Sequence, residues 1–234
     1  AYHEAGHATV SWLTEHASPL VKVTIVPRGR SLGAAWYLPE ERQLTTEAQM
    51  LDEMCAALGG RAAEEIVFGE VSTGALSDLE KITKQAYSMV SVYGLNDKVG
   101  NISFYDSSGQ SEYSFQKPYS EKTAELIDNE VKKLVDNAYQ RTLKLLRDNR
   151  DKLNELAELL LDKEVIYKED MVTIFGKRKF DKDESPLIHE GEGDGEDENN
   201  MNGNGTTENV HEAKVEDPKV ETPEKVVDQK IEGE

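Results

Sequence analysis

The chain contains a single cysteine, Cys55, in 234 residues. That excludes an internal disulfide framework and fits a reducing compartment. Cys55 lies at helical spacing with Leu51 and Leu58, which makes it a small core residue rather than a reactive thiol. No run approaches the roughly 18 apolar residues that would cross a bilayer, and no charged-then-apolar signal segment opens the sequence. Basic residues are scarce, 27 Lys and Arg against 46 Asp and Glu, for a net charge of −19. Phosphate-backbone binding needs Lys and Arg clustered on one face, so nucleic acid is excluded as a partner. A G-x-x-x-x-G-K-[ST] phosphate loop is absent from the sequence, so this stretch has no such means of coupling ATP hydrolysis to work.

The acidity is uneven. From Asp181 onward the sequence carries 18 acidic and 5 basic side chains, with Gly and Asn in place of large apolar residues. Such a composition cannot repay its ordering entropy, so residues 181–234 are expected to be an acidic disordered tail and residues 1–180 the folded domain. Ala1 stands two residues before the first motif, and the chain is expected to be a piece of a longer one.

Within residues 1–180 the periodicity predicts a mainly α protein with a small β element. A helix is expected over 2–16, and then two extended runs, 21–26 and 32–38, joined by the turn Pro27-Arg28-Gly29. Thr46 with Gln49 has the form of a capping box ahead of a helix that ends at Gly69. Leu79, Ile82, Ala86, Met89 and Tyr93 mark a third helix, with Ser77 and Glu80 offering a cap, ending at Gly94. Residues 95–117 read as a long loop. Ser120 can cap a helix with the stripe Ile127, Val131, Leu134, Ala138 and Leu145. A further helix carries Leu153, Leu156, Leu160 and Leu161, and a short one around Asp170 to Phe175 closes the domain.

His3-Glu4-Ala5-Gly6-His7 is an H-E-x-x-H pattern. Residues four apart share a helix face, so both imidazoles can reach one zinc ion while Glu4 takes a proton from the water that the ion activates. Zinc also polarises a scissile carbonyl. A catalytic zinc needs a third protein ligand and an open position. The positions at which a metzincin carries its Gly and third His hold Val10 and Leu13 here, which excludes that class. His16 lies two turns beyond His7, and His189 and His211 lie in the tail, so the third ligand is expected to be a carboxylate. Glu40, Glu41, Glu47, Glu53, Glu64, Glu65, Asp78 and Glu80 all remain open. Asp78 follows Ser72-Thr73-Gly74 at a helix start, where it could be aimed into a cleft or could merely complement the helix dipole.

Several separate blocks resemble one family. The run AYHEAGHA, the strand-turn-strand VTIVPRGRSLGAAWYLPEE, the helix MLDEMCAALGGRAAEEIVFG, the segment VSTGALSDLEKIT and the later KPYSEKTAELIDNEV occur in order over about residues 1–176. Together they resemble the peptidase domain of FtsH-like ATP-dependent metalloproteases, a family that includes the mitochondrial inner-membrane proteases. The resemblance implies a helical zinc endopeptidase with Zn2+ on His3, His7 and Asp78 and with Glu4 as general base. Members often carry Asn before that aspartate, and Ser77 stands there in this chain. The resemblance also implies that an extended substrate pairs with Gly33, Ala34, Ala35, Trp36, Tyr37 and Leu38, an edge-strand mode that tolerates many sequences. Packing of Trp36 and Leu38 on the core is the alternative use of that strand. Partners implied are unfolded or membrane protein substrates and further copies of the chain in a homo-hexamer. An ATPase module that uses ATP and membrane spans would lie upstream. The implied location is the bacterial inner membrane with the peptidase on the cytoplasmic side, or alternatively the mitochondrial inner membrane. The competing reading is a non-enzymatic assembly module with an inactive zinc site, against which the intact Glu4 stands.

Overall fold

The computed structural model describes residues 1–27, 33–37, 44–105 and 118–180. The tail expected from Asp181, Leu38 and most of the expected 95–117 loop therefore lie outside the described residues.

Two helices form the centre. The first, α1, runs over Tyr2–Leu13 and the second, α2, over Glu47–Phe68. They touch backbone to backbone where Gly6 faces Gly59. A Cβ at Gly6 would lie 2.2 Å from the Gly59 carbonyl oxygen, and one at Gly59 would lie 2.6 Å from that of Gly6. Glycine inside a helix costs about 1 kcal/mol relative to alanine, and here the close crossing is the compensation. Gly59→Ala should therefore destabilise the fold by about 1–3 kcal/mol despite its better helix propensity. In a domain of this size that lowers Tm by roughly 2–4 °C per kcal/mol. A thermal melt in which the variant matches or exceeds the parent would show that the crossing tolerates a methyl.

The capping box forms as the sequence predicts. Gln49 N donates to Thr46 Oγ1, the Thr46 N donates to the Gln49 side chain at 2.7 Å, and α2 ends at Gly69 in the left-handed region. Helix α3 spans Leu76–Ser91 and follows a 3₁₀ turn over Thr73–Ala75. Its N-cap is Ala75 rather than Ser77, because Ser72 already caps the preceding turn by accepting from Gly74 N. Ser120 caps α4, Glu121–Asp148, and α5 follows over Arg150–Lys163. Ile82 and Met89 of α3, Ile127 and Val131 of α4, and Leu153, Leu156 and Leu160 of α5 are buried around the central pair, as is Cys55. Leu161 is 60 % exposed, since it lies one residue off the buried stripe. Helix α6, Lys168–Phe175, closes the described chain.

Helix α1 is shorter than the expected 2–16. Thr14 turns extended, and the carbonyls that a longer helix would have used internally go elsewhere. Arg178 Nη2 donates to Thr14 O, Glu15 O and Ala17 O, while Asp52 accepts from His16 N.

The sheet has three strands rather than two. Strand β1 (Leu20–Thr24) pairs antiparallel with β2 (Ala34–Tyr37) on one side and with β3 (Val165–Tyr167) on the other. The third strand comes from the chain between α5 and α6, where Glu164 adopts φ 59° and its carbonyl accepts from Ile25 N. Ala35, Val23 and Ile166 align across the inner face. Trp36, Lys22 and Tyr167 align across the outer one. Trp36 is 48 % exposed, with the Lys22 ammonium over its ring, so the alternative in which it packs on the core does not hold. Strand β2 is an edge strand, with β1 as its neighbour among the described residues.

Candidate metal centre and active site

One face of α1 presents His3 and His7, and the first turn of α3 brings Asp78 to them. The Asp78 carboxylate lies 3.5 Å from His3 Nε2 and 3.6 Å from His7 Nε2. One ligand atom from each residue falls within 4.8 Å of the others. Glu40 and Glu41 lie outside the described residues; of the six open carboxylates within them, Asp78 alone joins the two histidines in a cluster.

The far side of each ring is also fixed. His7 Nδ1 lies 2.8 Å from the carbonyl oxygen of Ala56. A carbonyl only accepts, so Nδ1 carries a proton and Nε2 is the ring nitrogen turned toward Asp78. His3 Nδ1 lies 2.8 Å from Glu64, which also accepts from Ser72 N at 2.8 Å and from Ser72 Oγ at 3.1 Å. Glu64 thereby ties the His3 ring to the loop that delivers Asp78. Gly60 makes room for that ring, since a Cβ there would lie 2.5 Å from His3 Nε2.

Burial works against ionisation of Asp78, yet the His3 and His7 rings hold its carboxyl well below the usual carboxylate range. Burial also pulls the His3 imidazole down, but Asp78, Glu64 and Glu4 outweigh it and the ring is more basic than usual. Burial pushes the Glu4 carboxyl up, against the opposing influence of His7 and His3. The Glu64 carboxyl is lowered, its burial being outweighed by Ser72 and His3.

These groups line a cleft of about 1200 Å³. Gly33, Ala34, Ala35 and Tyr37 of the predicted substrate strand line it too. A Cβ at Gly33 would lie 2.7 Å from Glu4 Oε1, so the strand begins directly over the Glu4 carboxylate. Tyr37 reaches the same cleft, and burial, with the charges of Glu4 and Asp78 adding, pushes its phenol up and keeps it protonated. Trp36 points away from the cleft lining, as alternation along a strand requires.

Sequence reasoning weighed Glu64 only as a ligand, not as the partner behind His3, and missed the Ala56 carbonyl and Gly60. Their spacing, 56, 60 and 64, is one face of α2, and the mid-helix Gly59-Gly60 pair was the available signal. Glu64→Gln should keep the fold but release the His3 ring from its anionic partner. Loss of such an outer partner typically costs 10–100-fold in metal affinity. Competition with a fluorescent zinc chelator measures it, and an affinity equal to the parent's would show that Glu64 does not orient His3.

The chain is similar to known proteins over most of its length. The family model described as peptidase family M41 matches residues 1–174. An ATP-dependent zinc metalloprotease FtsH of Parabacteroides distasonis is 54 % identical over 224 residues, covering 94 % of this chain and 33 % of the relative. A protein of the same name from Karelsulcia muelleri is 58 % identical over 174 residues, 74 % of this chain and 28 % of the relative. A mitochondrial inner-membrane m-AAA protease component of Mus musculus is 52 % identical over 180 residues, 77 % of this chain and 22 % of the relative. The chain thus spans a third or less of the length of these curated relatives. With the match running through nearly all of the described residues, the chain belongs to peptidase family M41.

Proposed function

We propose that the chain is the zinc endopeptidase module of a larger ATP-dependent protease, with residues 1–180 as the catalytic domain and the acidic residues 181–234 appended to it. The observation that carries the reading is the convergence of His3 Nε2, His7 Nε2 and the Asp78 carboxylate, with one ligand atom from each residue within 4.8 Å of the others. A cation held among them is met by one carboxylate and two ring nitrogens at once. A tetrahedral zinc with ligand bonds of about 2.0–2.2 Å keeps its ligand atoms about 3.3–3.6 Å apart, so the donor set His3, His7 and Asp78 fits that ion. When bound, zinc supplies an acidified water and a Lewis acid for the scissile carbonyl.

The residues around it supply the rest. Glu4 takes the proton of the attacking water on its carboxylate and delivers it to the leaving amine, a role that suits a carboxyl raised by burial. Glu64 and the Ala56 carbonyl orient the two rings. The edge strand β2, with Gly33 just before it, adds an extended substrate by backbone hydrogen bonds, which selects unfolded chains rather than sequences. Ala35 and Tyr37 face the cleft, while Trp36 meets substrate side chains on the outer face.

The relatives' greater length supports an ATPase and membrane spans outside this sequence. Assembly as a homo-hexamer at a bacterial inner membrane, with the peptidase on the cytoplasmic side, follows from the same likeness, the mitochondrial inner membrane being the alternative. Zinc analysis with casein degradation tests the module. The chain should bind one zinc, cut casein slowly, ignore ATP and spare a stable fluorescent barrel, whose unfolding would cost about 5–15 kcal/mol. Full zinc occupancy with no casein cleavage would overturn the enzymatic reading.

A further inference from the structure

Beyond His7 the cleft continues. On α1 the face that carries His3 and His7 next presents Ser11, and on α2 the face that runs Glu64, Gly60 and Ala56 next presents Glu53. The two helices cross at Gly6 and Gly59 with these faces toward each other. Ser11, Ala17, Ser18, Glu53, Ala56 and Ala57 all line the cleft at this end. It lies about one helical turn, roughly 5–6 Å, past the metal ligands. The walls are small residues, and the one ionisable group among them is the Glu53 carboxylate. That carboxylate is held on one side by the Gln85 amide, whose nitrogen donates to Glu53 Oε2 at 3.4 Å and to the Met50 carbonyl at 3.2 Å. Glu53 forms no ion pair among the described residues. Lys81, the basic residue of the lining, is exposed and stands one turn from both Asp78 and Gln85 on α3, and it makes no ion pair with Glu53.

We propose that this end of the cleft is a subsite for a long basic side chain, Lys or Arg, next to the cleaved bond, with Glu53 as the residue that selects it. The proposal rests on the zinc endopeptidase reading above. The short walls leave room for a methylene stem, which prefers to lie along apolar surface while its charged head reaches a polar end. An ammonium or guanidinium there gives Glu53 a charge-assisted partner. A bulky apolar side chain would instead strip water from the carboxylate and return nothing. The outcome is a preference for substrates carrying basic residues, superimposed on the sequence-tolerant pairing with β2.

The test needs no turnover. Two dipeptide hydroxamates are compared by calorimetry on the zinc-loaded full chain, one with lysine and one with norleucine beside the zinc-binding group. Norleucine keeps the stem and lacks the charge. The lysine compound should bind about tenfold or more tightly, as a charge-assisted bond allows. Glu53→Gln should bring the ratio close to one with little change for norleucine. Glu53→Lys should turn the preference toward a glutamate-bearing hydroxamate. A norleucine compound that binds the parent as well as lysine, or a ratio that survives Glu53→Gln, overturns the subsite. If the zinc-loaded chain binds neither compound, the endopeptidase reading itself falls and the subsite with it.

Discussion

Glu4→Gln should leave zinc bound and lower peptide hydrolysis by about a hundredfold or more, the range of a lost general base. Glu4 follows His3 on α1 but stays out of the cluster of ligand atoms, which is formed by His3, His7 and Asp78. The substitution is isosteric, so the close approach of Gly33 over its side chain is preserved. What disappears is a site that can accept a proton, because an amide does not ionise in this range. The loss should fall on kcat, with KM and hydroxamate binding little changed, as expected for a group whose contribution is made in the transition state. Zinc content by mass spectrometry and casein cleavage are measured on the same preparation. Unimpaired cleavage with full zinc would remove Glu4 from the mechanism.

What the sequence revealed and what it hid divide along the range of the interactions. The Thr46–Gln49 box, the Ser120 cap, the Gly69 stop and the buried stripe Ile82, Ala86 and Met89 are set within a few residues, so each was legible. The early end of α1 was not, because the carbonyls just past it, of Thr14, Glu15 and Ala17, are taken by Arg178 from the other end of the domain. Strand β3 is three residues long, too short to show a period, and exists because β1 offers it an edge. The same division applies to the site. His3, Glu4 and His7 are one local motif, legible from spacing. The choice of Asp78 among eight carboxylates depends on how α3 meets α1, a tertiary fact that spacing could not reach and that entered through family resemblance. Glu64 was weighed as a ligand. Its actual position, on the far nitrogen of His3, follows from the α1–α2 crossing at Gly6 and Gly59.

Asp78→Ala should abolish cleavage and lower zinc affinity by more than the 10–100-fold typical of an outer partner such as Glu64. It removes the carboxylate from a three-residue donor set and leaves two imidazoles to hold the ion. The apo fold should survive, since Asp78 is partly exposed in the first turn of α3 and the helix is also held by buried Ile82, Ala86 and Met89. Linkage separates the two effects. A ligand that binds only the folded state stabilises it by RT ln(1 + [L]/Kd), about 2.7 kcal/mol at a hundredfold excess over Kd. Zinc should therefore raise the Tm of the parent, while the same zinc concentration leaves Asp78→Ala close to its apo value. Glu65→Ala is the control, because Glu65 takes the Tyr139 hydroxyl at 2.6 Å, away from the cluster, and should keep the full zinc-dependent rise. Melting curves with and without zinc, followed by stoichiometry after dialysis against a weak chelator, give the answer. A zinc-dependent rise in Asp78→Ala equal to that of the parent would take the aspartate out of the ligand set and return the third position to the remaining carboxylates.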